Sequence, residues 1–229
     1  MLVTTPTDGP LSKTKSFRGL IICGLLCVLW LLAAKVVLHN SVTPMSASAL
    51  MISRVLLWLT LIGMWLYSVK VEKCPFLLWP DKKMTFLTTL GHALLILLIY
   101  LAGSVIIALF LRQTGLLQHS PAIGALRKAP IPLKLFLAFT AATTEELIFR
   151  GYFLPRIGLF FKARWIPLLI SAFAFASFHL GYGTVVNVAI PFFCGLLFGW
   201  YYQKYRNIKA LMICHFLIDL ASLMITRHH

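Results

Sequence analysis

Residues 131–154 read IPLKLFLAFTAATTEELIFRGYFL, an apolar stretch long enough for the ~20 residues that cross a bilayer, yet with three charges in its second half. A charge at the centre of a membrane helix costs about 2.5–3.5 kcal/mol. Glu145, Glu146 and Arg150 must therefore be paired, neutralised or placed in a wet cavity. Glu146 and Arg150 are four apart on one helical face with the acid N-terminal to the base, the better arrangement, which gives the pair a structural role. Glu145 points about 100° away and has no cation three or four residues distant, so it is the candidate chemical group.

The rest of the chain places this stretch in a membrane. Of 229 residues, 60% are hydrophobic and 12% charged, against roughly 45–50% and 25% in a soluble domain. That excludes a soluble enzyme and a disordered tail. Lys and Arg number 21 against six Asp and Glu, a net charge of +15, which in a soluble chain would suggest nucleic acid. Here the bases flank apolar runs, as cationic loops facing an anionic leaflet do, and no nucleic-acid motif competes for them. Cys23, Cys27, Cys74, Cys194 and Cys214 show no CxxC and lie mostly in apolar stretches, which reads as buried small hydrophobes. The first apolar run is too long for a signal-peptide core, and the A-x-A match Ala47 to Ala49 lies far beyond it, so it is expected to be retained.

Seven candidate spans follow at about 19–38, 49–68, 86–111, 131–154, 165–180, 184–202 and 208–226. The expectation is an all-α, polytopic transmembrane bundle of about seven spans with a four-helix catalytic core, since unpaired backbone is too costly in lipid. Thirteen bases, among them Lys13, Lys70, Arg156 and Lys209, mark one side as cytoplasmic and place the N terminus there, against five on the other side. Lys35, Arg54 and Arg150 fall inside spans. The fifth span, about sixteen residues with His179 near its end, is short for a crossing and leaves the side of the C terminus open. The organisation reads as a tail over 1–18, three anchor helices over 19–111, a Gly- and Pro-punctuated linker over 112–130, and a core over 131–226. No internal repeat is visible. His228 and His229 read as a tag remnant.

Of the six acids, Asp8, Glu72 and Asp81 read as tail or loop residues, while Glu145, Glu146 and Asp219 lie within apolar helices. Two further pairs share the helical spacing of four. Phe175 and His179 place an aromatic ring one turn from an imidazole, and His215 and Asp219 place an acid where it can orient a ring. Straight helices at 1.5 Å per residue bring Glu145, His179 and His215 to a common depth of roughly 10–20 Å. His92 reads as a helix-packing hydrogen bonder, Asn187 as a side chain bonding a neighbour, and Gly195 with Gly199 as a close-packing GxxxG.

Taken in order, Glu145-Glu146-Leu147-Ile148-Phe149-Arg150, Phe175-Ala176-Ser177-Phe178-His179 and His215-Phe216-Leu217-Ile218-Asp219 resemble the EExxxR, FxxxH and HxxxN or HxxxD motifs of the CAAX-protease and bacteriocin-processing family of intramembrane glutamate endopeptidases. The resemblance covers about residues 131–226. It implies that Glu145 with His179 activates a water for attack on a peptide carbonyl, that His215 with Asp219 stabilises the oxyanion, and that Glu146, Arg150 and Phe175 support them. An ionised Asp219 only accepts hydrogen bonds, so it is either protonated or acts by orienting His215.

The expected function is hydrolysis of a peptide bond in a membrane-associated protein or peptide, as in CAAX-type processing or bacteriocin and peptide-signal maturation or immunity, at a bacterial plasma membrane. No cofactor is expected. The alternative is a zinc site on Glu145, His179 and His215, which the lack of HExxH and of a second shell in the sequence disfavours. The rivals are a proton-coupled transporter, since Asp, Glu and His in membrane helices also build proton relays, and a non-catalytic immunity-type protein.

Overall fold

The computed structural model describes residues 11–39 and 46–225, and all of their regular structure is helical. Asp8, Arg227, His228 and His229 lie outside the described residues. The main elements are α1 (Lys13–His39), α2 (Ala47–Tyr67), α3 (Phe86–Gln113), α4 (Pro121–Arg127), α5 (Ile131–Glu146), α6 (Leu154–Ile157), α7 (Trp165–Ser177), α8 (Val186–Tyr205) and α9 (Ile208–Met224). Two π-helical segments, Ser68–Glu72 and Leu147–Phe153, continue α2 and join α5 to α6, and a 3-10 turn, Leu180–Tyr182, follows α7.

Local chemistry sets four of the helix starts. Ser46, Thr85, Ser120 and Asn207 each accept a backbone N–H from the first turn of α2, α3, α4 and α9, which satisfies an otherwise orphaned donor. At α9 the Asp81 carboxylate adds a second acceptor, 3.1 Å from the Ile208 N–H. Burial raises the Asp81 carboxyl above its ordinary range, against the pull of that hydrogen bond and of Lys209. Arg206 ends α8 in the left-handed region at φ 52°, with its guanidinium stacked 3.6 Å over Trp79.

Among the described residues four helices, not seven, are long and apolar enough to cross a membrane by length and composition: Lys13–His39, Ala47–Glu72, Phe86–Gln113 and Trp165–Tyr182. The expected spans at 131–154, 184–202 and 208–226 are corrected. The first fails because Lys134, Glu145, Glu146 and Arg150 crowd one segment whose regular α-helix stops at Glu146. The second is diluted by Asn187 and by the Tyr201-Tyr202-Gln203-Lys204 end of α8. α9 has 17 residues and carries Lys209, His215 and Asp219. The run at 165–180, shortest of the seven on sequence, is retained because the turn after α7 extends it. The all-helical bundle and its long apolar helices are consistent with a membrane protein.

One apolar core joins the early helices to the late ones. Cys23, Cys27, Leu57, Met64, Ala93 and Ile96 pack in the same cluster as Phe149, Tyr152, Phe175, Phe198 and Leu211. The face turned away from it is apolar too, with Leu29, Leu59, Leu98 and Ile106 all more than half exposed, as lipid contact requires and water does not. All five cysteines are buried and free, as expected of small hydrophobes. α7 and α8 touch through Gly195, where an added Cβ would sit 2.8 Å from the Ala172 Cα, and Gly199, where it would meet Leu168. The GxxxG is thus a packing seam.

A second polar knot lies where the sequence suggested loops. Glu72 is 1% and Arg156 0% exposed, and Arg156 Nη2 donates to Glu72 Oε2 at 2.6 Å. The same guanidinium donates to Ser68 Oγ at 2.9 Å and the Phe76 carbonyl at 3.0 Å, while the Tyr152 hydroxyl donates to Glu72 at 3.0 Å. Reading Glu72 as a loop acid and Arg156 as a surface base is therefore corrected. They tie the π-helical end of α2 to α6, 84 residues apart. Their pairing was invisible because nothing in local spacing links positions so distant.

Candidate functional site

The EExxxR stretch lies across the junction of α5 with the π-helical segment Leu147–Phe153. π-Helical turns inside α-helices occur frequently at functional sites. Here the segment carries Arg150 back onto α5: its Nη1 donates to Glu146 Oε1 at 3.0 Å, with side chains 1% and 0% exposed. The pairing of Glu146 with Arg150 drawn from their spacing is present. The guanidinium also lies 4.4 Å from the Phe175 ring centroid and 5.3 Å from that of Phe198, and its Nη2 donates to the Cys194 carbonyl.

Glu146 has a second partner that sequence reasoning missed. His215, from the buried face of α9, donates from Nδ1 to the same Oε1 at 2.9 Å. Its Nε2 lies 3.6 Å from Asp219 Oδ2, one turn along α9, so the imidazole is held between two carboxylates. No local signal reports the Glu146–His215 contact, since the residues are 69 apart. Glu146 Oε2 is buried with no hydrogen-bond partner among the described residues, which leaves accepting capacity open inside the cluster.

Phe175 links the motifs. Its ring is 4.9 Å from His179, 6.1 Å from His215 and 5.2 Å from Phe149, in tilted or edge-on arrangements. His179 follows the last turn of α7 rather than lying within it, and caps the 3-10 turn. Its Nδ1 is 3.0 Å from the Phe175 carbonyl. With Nδ1–H donating there, Nε2 carries the lone pair and is the nitrogen available for proton transfer.

Glu145 is half-buried and makes no hydrogen bond or ion pair with a described residue. It interacts by charge with His215, Asp219 and the Tyr182 hydroxyl, and Asp219 also interacts with His179 and with Arg54 of α2. Glu145, His179, His215 and Asp219 thus share one electrostatic neighbourhood. No hydrogen bond or ion pair joins Glu145 to His179 in the described structure. Arg54 and Tyr182 are the further members the sequence did not assign.

Zinc does not fit these side chains as placed. Among the described residues no three His, Cys, Asp or Glu groups are arranged to hold a metal ion. His215 is engaged at Nδ1 by Glu146, and His179 at Nδ1 by backbone. Two other predicted residues play the packing roles expected of them. His92 Nδ1 lies 2.7 Å from the Tyr201 hydroxyl, and Asn187 donates to Thr184 at 2.6 Å.

A family match covers the same segment. Residues 127–221 match the family described as "Type II CAAX prenyl endopeptidase Rce1-like". A Bacillus subtilis (strain 168) protein described as "Uncharacterized protein YpbD" is 34% identical over 97 residues, 40% of this chain and 44% of that protein. The matched part therefore spans less than half the length of this curated relative. No solved structure matches the chain. Residues 127–221, which contain all three motifs and the cluster they form, therefore match an Rce1-like CAAX protease family domain, and the match supports membrane-associated peptidase activity.

Proposed function

We propose that the protein is a membrane endopeptidase that hydrolyses a peptide bond close to the C terminus of a membrane-associated protein or peptide, by a water activated at Glu145 and His179. The observation that carries this reading is the meeting of the three motifs around Phe175 and His215. His215 lies 2.9 Å from Glu146 and 3.6 Å from Asp219, and the Phe175 ring lies beside both histidines.

In this mechanism Glu145, the acid without a fixed partner, takes a proton from water, with His179 Nε2 as the second acceptor. The hydroxide attacks the carbonyl carbon. Negative charge then develops on the carbonyl oxygen, and His215 in its protonated form donates to it from Nε2. Asp219 does not donate. Together with Glu146 it favours the charged imidazole and sets its orientation. The proton held at Glu145 passes to the leaving amine as the C–N bond breaks. A general base supplies about 10²–10⁴-fold and one oxyanion donor about 10²–10³-fold. Arg150 compensates the Glu146 charge, which would otherwise be buried in excess.

The test compares new peptide termini in membranes of cells expressing the chain or its Glu145→Gln variant at matched levels. Termini present only with the unsubstituted chain support the reading and name the substrate. Equal termini in both would refute it. A defined CAAX-type peptide then measures the loss in kcat, expected at about 10²-fold or more, with the helical signal by circular dichroism unchanged.

A further inference from the structure

Away from the motif cluster, a cavity of about 340 Å³ opens where the segment before α3 meets the turn between α8 and α9. Lys82, Lys83 and Lys209 line it together with Asp81, Thr89 and Asn207. Its frame is fixed from several sides. The Lys82 backbone N–H donates to the Arg206 carbonyl at 2.7 Å, and the Tyr202 hydroxyl donates to the Trp79 carbonyl at 3.0 Å. Asn207 is buried; its Nδ2 donates to Thr89 Oγ1 at 3.1 Å, and its Oδ1 accepts the Ala210 N–H. Asp81 accepts the Ile208 N–H at both oxygens, 3.1 and 3.2 Å away.

The polar floor is thus satisfied from within, whereas the charge at the rim is not. Lys82, Lys83 and Lys209 are all exposed, and none forms a salt bridge with a described residue. Asp81 is the one acid lining the cavity. It offsets a single lysine, and its oxygens are already turned to the start of α9. Three ammonium groups around one opening repel each other, and an anion between them relieves that repulsion. Lysines serve phosphate as point charges that need no fixed fork. The volume lies at the lower end of the ~300–1,000 Å³ of small-molecule sites, which suits a headgroup and excludes a whole lipid.

The neighbourhood favours a membrane lipid over a soluble anion. Two residues beyond Met84, α3 begins with Phe86 and Leu87, both more than 70% exposed. It continues as a helix long and apolar enough to cross a membrane. On the other side Lys204 lies 5.2 Å from the Trp200 ring centroid and Arg206 stacks on Trp79. Bases mixed with Trp and Tyr mark a membrane–water boundary. A soluble anion needs the lysines and has no use for the apolar edge beside them.

We infer that this cavity binds the phosphate headgroup of an anionic phospholipid, whose acyl chains lie along the exposed start of α3. A lipid held there bridges the start of α3 to the start of α9, the helix that carries His215 and Asp219. The site stands whether or not the chain is a peptidase.

The test binds tritiated phosphatidylglycerol to the immobilised full chain in detergent and competes it with unlabelled phosphatidylglycerol, phosphatidylcholine or inorganic phosphate. Phosphatidylglycerol should compete about tenfold or more better than phosphatidylcholine, whose choline cancels its phosphate charge, since each lysine contributes about fivefold toward an anionic headgroup. In Lys82→Gln/Lys83→Gln/Lys209→Gln the ratio falls to near one. Lys13→Gln/Lys15→Gln/Lys128→Gln, which removes the same charge elsewhere, keeps it. Lys82→Gln and Lys83→Gln alone should each lower it about two- to fivefold, and they decide the matter if the triple variant does not fold. A preference unchanged in the cavity variants, an equal loss in the control variant, or no preference in the parent would overturn the inference. Release of the labelled lipid by inorganic phosphate at constant ionic strength would also overturn it, marking a site for soluble anions.

Discussion

Removing the Arg150 guanidinium should be among the most damaging single changes in this protein. At 3.0 Å from Glu146 Oε1, two unit charges interact by about 5–6 kcal/mol at an effective dielectric of about 20. Both side chains are almost wholly buried, so the Glu146 charge left behind by Arg150→Ala cannot be rehydrated. Breaking such a pair from one side costs about 3–5 kcal/mol, and loss of packing over the Phe175 and Phe198 rings adds about 0.5–2. For a chain of this size 1 kcal/mol corresponds to about 2–4 °C in Tm, so a fall of about 7–28 °C is expected in detergent by circular dichroism. The decisive comparison is Glu146→Gln with Arg150→Met together, which removes both charges and should recover most of the loss. A Tm for Arg150→Ala within about 3 °C of the parent, or a double variant no better than the single, would refute the account.

Other expected outcomes follow from the same contacts. Glu72→Ala leaves Arg156 charged and buried and should cost about 3–5 kcal/mol, with Glu72→Gln milder; equal melting of Glu72→Ala and parent would contradict this. Gly195→Ala drives a methyl to 2.8 Å from the Ala172 backbone and should destabilise by about 1–3 kcal/mol. Gly24→Ala, which meets nothing within 4 Å, should be neutral in the same melt. His215→Ala and His179→Ala should each reduce cleavage of a CAAX-type peptide by about 10²-fold or more while the melt shows both folded; undiminished turnover in either would remove that residue from the mechanism.

The elements legible in the sequence were those whose partners lie one helical turn away. Glu146 with Arg150, Phe175 with His179 and His215 with Asp219 all share the spacing of four, and all three pairs are adjacent in space. Contacts between helices left no such trace. Spacing gave Glu146 one partner, whereas the fold gives it His215 as well. Hydropathy alone also overcounted the spans. It cannot tell a lipid-facing run such as α3 from α5 and α9, whose charged residues shorten the apolar stretch and whose buried faces serve one another. Arg54 was visible as an odd charge in a span, but only the fold brings it to Tyr182 and Asp219.

The Glu72–Arg156 knot also bears on how the chain is made. When α2 leaves the ribosome, Glu72 lacks its folded partner, and Arg156 is synthesised 84 residues later. Until then the first three helices carry an acid whose folded ion pair cannot form. This ion pair can therefore close only after the EExxxR stretch has been synthesised.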